Sequence, residues 1–291
     1  MKLLEGKNVL ITGGGRGIGR AIALEFARNG AHIAVTALEK DELEQTVNDI
    51  KKFNVEALSI PADLTNIAGA KSVVETYFKH FNKIDILITN AGMSYYCPMI
   101  EVSLDKVVKL FNLNLIAYYA MIKLILPKMI ENGEGKIIMT ASVHGNIFFN
   151  PNQVAYSAAK AGVTAMGKCL DAELNPYNIQ VNVVLPGAIK TKLSEDSAKR
   201  GQITPKLIPP EAISPIYLFL ASDLSSQKYR GKIINQMILF ELLPKLKSAI
   251  TNKSFDIKEL TKDMKEKLRK NMYGLLRKNQ DLIDFLLKYQ K

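Results

Sequence analysis

The sequence predicts an α/β protein: a doubly wound parallel sheet between two layers of helices, followed by a C-terminal helical extension. Three observations predict it. Short apolar runs alternate in order with longer segments of helical periodicity. The runs are too apolar for strands exposed on one face, which argues a sheet covered on both. Glycine, asparagine, aspartate or a Pro-Gly pair follows one run after another, and ligands of such sheets bind beyond the carboxyl ends of the strands.

Lys7 to Thr12 is the first strand and breaks into Gly13-Gly14-Gly15-Arg16-Gly17-Ile18-Gly19, after which a helix runs from about Arg20 to Asn29 and stops at Gly30. Strand, glycine turn and helix in this order suit a pyrophosphate, because glycine lets the backbone come close and the helix N-terminus offers free N–H groups. His32 to Ala37 is the second strand, Lys40 to Phe53 a helix, Val55 to Ile60 the third strand ending at Pro61-Ala62-Asp63, and Asn66 to Phe81 the third helix. Ile84 to Thr89 runs into Asn90-Ala91-Gly92. Ser103 is placed to cap a long helix that passes through Asn112-Leu113-Asn114, has Pro127 in its last turns as a kink position, and ends at Asn132-Gly133. Lys136 to Ala141 delivers Ser142; Ile179 to Leu185 ends at Pro186-Gly187.

Between those last two strands lies Tyr156-Ser157-Ala158-Ala159-Lys160. On a helix, four-residue spacing puts phenol and amine on one face, where an ammonium lowers the phenol's pKa and readies it for proton transfer. On its own the pair is more simply an exposed helix face.

With 291 residues, 47% hydrophobic and 23% charged, the chain has the composition of a soluble globular protein with a sizeable core. No apolar signal region with a cleavage site opens it, so a cytoplasmic location is expected, and no window is read as long enough for a membrane-spanning helix. Cys97 and Cys169 are far apart and lack metal-ligand spacing, which implies neither a disulfide framework nor a metal site; Cys169 reads as a core residue and Cys97 as a loop residue. The formal charge of +11 is concentrated at the end: residues 228 to 291 carry sixteen Lys/Arg against seven Asp/Glu. The main domain is thus near neutrality, which argues against nucleic acid as a partner.

Thr12-Gly-Gly-Gly-Arg-Gly-Ile-Gly19, Asn90-Ala-Gly92, Asn114, Ser142, Tyr156-Ser-Ala-Ala-Lys160 and Pro186-Gly-Ala-Ile-Lys-Thr191, in this order, resemble the short-chain dehydrogenase/reductase family over residues 1 to 236. The resemblance implies a Rossmann-type three-layer fold, a nicotinamide dinucleotide and reversible hydride transfer between an alcohol and a carbonyl. By it Tyr156 is the general acid for reduction and base for oxidation, Lys160 lowers its pKa and bonds the nicotinamide ribose, and Ser142 holds the substrate oxygen. Asn114 matches the family's helix-kink residue, which supports a water linking Lys160 to solvent; a buried asparagine that only bonds a carbonyl is the plainer account. Gly13, Gly15, Arg16, Gly17, Ile18 and Gly19 would line the pyrophosphate and ribose, Asp63 and Leu64 the adenine edge, and Asn90, Ala91 and Gly92 the adenosine ribose. Pro186, Gly187, Ile189 and Thr191 would lie along the nicotinamide. Asp63 also reads as a cap for the helix after Thr65. His144, Tyr95, Tyr96 and Phe148 are candidate walls of the substrate cleft.

The acidic residue with which NAD-preferring members end the second strand is absent, since Ala37 and Leu38 stand there, and Arg16 is placed to pair a 2′-phosphate. The basic residue usual after that strand in NADP enzymes is absent too; the balance favours NADP(H). Lys192, Lys199, Arg200 and Lys206 fall in the family's mobile lid and read either as contacts for an acidic substrate or as a solvated loop.

The pattern departs at the end. Arg230 to Asn235 starts a seventh strand, but residues 237 to 291 form an extension in which Ile257, Leu260, Met264, Leu268 and Met272, then Leu282, Ile283, Phe285, Leu286 and Leu287, make basic amphipathic helices. Such a tail suits its own domain, a subunit interface, an anionic membrane surface or the cleft. The family resemblance implies a homodimer or homotetramer, and the altered ending bears on the second.

Overall fold

The computed structural model describes residues 2–201, 207–225, 227–236 and 280–289. The chain divides into two compact units, Met1–Asn235 and Gln236–Lys291.

The first unit holds one parallel sheet in the order β3-β2-β1-β4-β5-β6-β7. Its strands are β1 (Asn8–Thr12), β2 (His32–Ala37), β3 (Ala57–Pro61), β4 (Ile86–Thr89), β5 (Gly135–Thr140), β6 (Ile179–Leu185) and β7 (Ile233–Asn235). Every residue of β4 and β6 is buried, Gln180 and Asn182 of β6 included, and Gln180 Nε2 donates to Asn182 Oδ1 (2.7 Å). The edge strand β3 is mostly half-buried. The helices are α1 (Gly17–Arg28), α2 (Lys40–Lys51), α3 (Ile67–His80), α4 (Leu104–Phe111), α5 (Ala117–Asn132), α6 (Val154–Leu174), α7 (Lys192–Lys199) and α8 (Ser214–Ala221). Strand order reverses between β1 and β4, which opens a crevice at their carboxyl ends.

Several expectations need correction. α1 begins at Gly17, three residues before the periodic apolar pattern, because the glycines enter the helix itself. The long helix is broken at its asparagine: α4 passes through a single π-helical turn, Asn112–Ile116, before α5, while Pro127 sits inside α5 without ending it. Ser103 occupies the N-cap position but its side chain makes no capping bond. Gly133, at φ +71°, closes α5 as expected. By length and composition the run Leu104–Asn132 is apolar enough to cross a membrane, against the sequence reading; nearly half of its most apolar stretch is buried inside the fold, where α5 packs on α3, β4 and β5. Cys169 is exposed, because α6 buries Tyr156, Ala159, Lys160, Val163 and Gly167 and turns Cys169 away from that stripe; Cys97 is half-buried.

In the second unit the described residues form α9 (Gln280–Tyr289), with Leu282, Ile283 and Leu286 buried and the Phe285 and Tyr289 rings stacked at 5.1 Å. The apolar pattern of Ile257, Leu260, Met264, Leu268 and Met272 lies outside the described residues, as does Lys206.

Candidate active site

β1 brings Thr12 to the crevice and β4 brings Asn90. The Thr12 hydroxyl accepts from the backbone N–H groups of Asn90 (2.9 Å) and Ala91 (3.0 Å), and Asn90 Nδ2 donates back to the carbonyls of Thr12 (3.2 Å) and Gly13 (3.4 Å). The two strand ends are thereby stitched together at the point where strand order reverses. Gly13 sits at φ +68°, and a Cβ there would lie 2.8 Å from Ala91 Cα, so both conformation and space exclude a side chain. α1 starts from an extended Arg16 that makes no side-chain capping bond, and its first turn holds no acidic residue. Its first N–H groups and the positive end of its dipole are therefore open to an anion.

The loop after β6 closes on the same turn. A Cβ on Gly17 would meet Thr191 at 3.2 Å, and Ile189 is buried. Ile189 N donates to the Gly187 carbonyl (3.0 Å), and the Pro186 carbonyl accepts from Val143 N (3.1 Å), which ties this loop to the one after β5. Thr191 caps α7 through a reciprocal pair with Ser194. Lys192 and Lys199 stand at the two ends of α7 and Arg200 is its C-cap, so this part of the expected lid is helical. Together the glycine turn, Ile18, Gly19 and the Pro186–Thr191 loop fit a dinucleotide: a side-chain-free cradle facing an uncapped helix end.

Asp63 and Leu64 lie past the end of β3, and the contacts of Asp63 are local. Its Oδ1 accepts from Thr65 N (2.9 Å), a bond that holds the carboxyl below the usual carboxylate range. The helix cap falls instead on Asn66, whose Oδ1 accepts from Gly69 N (2.8 Å), so the capping role considered for Asp63 is corrected.

α6 presents Tyr156 and Lys160, both buried. The Tyr156 ring packs with Leu110 and Ala159, flanked by Met93, Tyr95 and Leu115. Burial raises its pKa, and the hydrogen bond with the Ser142 hydroxyl opposes that rise. Ser142 is itself held by its loop: its Oγ accepts from His144 N (3.1 Å), and its carbonyl accepts from Asn146 Nδ2 (2.9 Å), which also reaches the Lys160 carbonyl (3.5 Å). The His144 ring stands edge-on to Tyr156 at 6.4 Å; its Nδ1 is buried with no hydrogen-bond partner among the described residues, and burial pushes its pKa down. Tyr95 and Tyr96 are half-buried, and Phe148 is exposed.

Lys160 Nζ donates to the Thr140 carbonyl (2.9 Å) and to the Tyr118 hydroxyl (3.1 Å), and burial lowers its pKa to about 7. The Tyr118 hydroxyl donates to the same carbonyl (3.1 Å). In this arrangement burial is the largest influence on both groups, raising Tyr156 against the Ser142 hydrogen bond and lowering Lys160. Asn114, in the π-helical turn, is fully buried and grips one residue twice, its Oδ1 accepting from Met93 N (2.8 Å) and its Nδ2 donating to the Met93 carbonyl (2.7 Å). A Cβ on Gly92 would lie 2.9 Å from Asn114 Oδ1 and 3.6 Å from Lys160 Nζ, so β4, the π turn and α6 meet at one point.

Three residues of this framework were not singled out from the sequence, and Thr12, which opens the glycine motif, was given no role of its own. Asn146 acts through backbone bonds that no pattern announces. Tyr118 lies one turn beyond Asn114, a spacing that could have marked it. Glu42 is the third: Arg16 Nη1 stands 2.7 Å from its Oε1.

Residues 7–201 match the family model described as short chain dehydrogenase. The chain is 34% identical to a 3-oxoacyl-acyl-carrier-protein reductase of Thermotoga maritima, over 77% of this chain and 93% of that protein. It is 32% identical to an L-rhamnose 1-dehydrogenase (NAD(P)(+)) of a Sphingomonas species, over 78% and 93%. Among solved structures it is similar to a short-chain type dehydrogenase/reductase from Mycobacterium marinum, with a TM-score of 0.74, 31% identity, and coverage of 80% of this chain and 94% of that one.

Proposed function

The chain belongs to the short-chain dehydrogenase family, an oxidoreductase family that binds nicotinamide dinucleotides, and from that premise we propose that it reduces a carbonyl to a secondary alcohol with NADP(H), reversibly, with Tyr156 as general acid. The observation that carries this reading is the buried meeting of the Tyr156 phenol with the Ser142 hydroxyl, beside Gly92, Asn114 and Lys160, past the carboxyl ends of β4 and β5.

A bound nicotinamide dinucleotide supplies or accepts the hydride. Burial keeps the Tyr156 phenol protonated at neutral pH, the state needed to give a proton to the alkoxide that forms as the carbonyl is reduced. Ser142 donates to the same oxygen and offsets its developing charge. Lys160, titrating near neutrality one helical turn away, stabilises the tyrosinate left behind. Oxidation runs the same proton in reverse. The apolar surround of Tyr156, with Met93, Tyr95 and Leu115, supports an apolar group next to the carbonyl.

Arg16 beside the glycine turn, with Ala37 and Leu38 where an acidic residue would select NAD, supports NADP(H). Titration with NADPH and with NADH, followed by nicotinamide fluorescence, tests the reading: tighter binding of NADPH is expected, and binding of neither overturns it.

A further inference from the structure

The end of β2 carries no carboxylate, yet the fold brings one to the same turn from another element. Glu42 lies in the first turn of α2 and sits on the glycine turn: a Cβ on Gly15 would be 3.1 Å from Glu42 Cβ and 3.5 Å from its Oε2. Its backbone is fixed there. Buried Thr46 donates to the Gly15 carbonyl (3.1 Å) and lies within hydrogen-bond distance of the Glu42 carbonyl (3.0 Å), and Arg20, one turn past Arg16 in α1, pairs at 2.6 Å with Asp49, about two turns past Glu42 in α2. From this anchored position Glu42 holds Arg16 in an ion pair, with the two side chains 34% and 44% exposed.

We propose that Glu42 is a specificity-determining residue for the cofactor, opposing the 2′-phosphate of NADP(H) that Arg16 attracts and so narrowing the preference between the two nucleotides. The proposal rests on the reading of the glycine turn as the dinucleotide site. A phosphate that pairs with Arg16 must either take the guanidinium from Glu42 or share it within reach of a carboxylate of its own sign. Both lower affinity for the phosphorylated nucleotide alone. NADH, with free ribose hydroxyls, meets no such repulsion and can donate to the carboxylate. The sequence shows an absent acidic discriminator at Ala37; in space that role passes to Glu42, five residues later.

The test is the ratio of NADPH to NADH dissociation constants, measured by nicotinamide fluorescence in the full-length wild type, Glu42→Gln and Glu42→Ala. Glu42→Gln keeps the size and removes the charge, and is expected to tighten NADPH on the order of tenfold while NADH holds or weakens. Glu42→Ala moves the ratio in the same direction. A ratio within about twofold of wild type in both variants, with both nucleotides still bound, overturns the proposal and leaves the dinucleotide reading standing. A wild type that binds neither nucleotide overturns both.

Discussion

Replacing Asn114 by alanine removes one side chain and strands two backbone groups. In the native fold Asn114 is fully buried and satisfies both polar groups of Met93, at 2.8 and 2.7 Å, across the gap between the π-helical turn and the segment after β4. Alanine reaches neither. A buried donor or acceptor left without a partner costs about 1–3 kcal/mol, so two together should cost roughly 2–6 kcal/mol. That is a large fraction of the roughly 5–15 kcal/mol that holds a typical domain together. Urea denaturation followed by far-ultraviolet circular dichroism reads it directly. With a slope of about 2–3 kcal/mol per molar, the midpoint should fall by roughly 1–3 M. A loss under about 0.5 kcal/mol would mean that Met93 finds other partners and that the asparagine does not clamp the segment.

The remaining predictions concern titration and exposure. Lys160 has a folded pKa of about 7, below its unfolded value, so between about pH 7 and 10 the unfolded chain binds a proton there that the native chain does not. Native stability from this group is therefore lowest below pH 7 and recovers as pH rises, by up to about 1.4 kcal/mol per pH unit. Lys160→Met should remove that slope from urea denaturation measured at successive pH values; an unchanged slope would contradict the burial of the amine. Cys169 is exposed and Cys97 only half-buried, so a thiol reagent should modify the native protein fastest at Cys169, and Cys169→Ser should abolish the fast phase. Persistence of that phase in the variant would assign it to Cys97.

What the sequence made legible was whatever depends on local pattern. Strands buried on both faces are dominated by apolar residues, which is why β1, β2, β4, β5 and β6 stood out within a residue or two. The edge strand β3, half-buried and ending on a proline, was shifted toward its own N-terminus in the reading. The glycine turn was visible because glycine is rarely repeated so densely, but the start of α1 was not, because Gly17 and Gly19 are poor helix formers that tertiary packing overrides. Cys169 was misplaced because the helix around it is rich in apolar and small residues while the buried stripe of α6 runs elsewhere. The hydrogen bonds of Lys160 Nζ to Thr140 and Tyr118, and the pairing of Arg16 with Glu42 across 26 positions, are tertiary facts. No spacing within one segment encodes them. The residue types of the site were therefore readable where the electrostatics joining them were not.

The most direct test of the account is Tyr156→Phe, assayed for consumption of NADPH with a panel of ketones and acyl thioesters and, in parallel, for NADPH binding by fluorescence. Phenylalanine keeps the ring and its packing against Leu110 and Ala159 while removing only the proton donor. The account predicts NADPH affinity close to wild type and turnover lower by at least about a hundredfold. Undiminished turnover would contradict it, because the proton would then come from another group and the buried phenol beside Ser142 would not be the acid of the reaction.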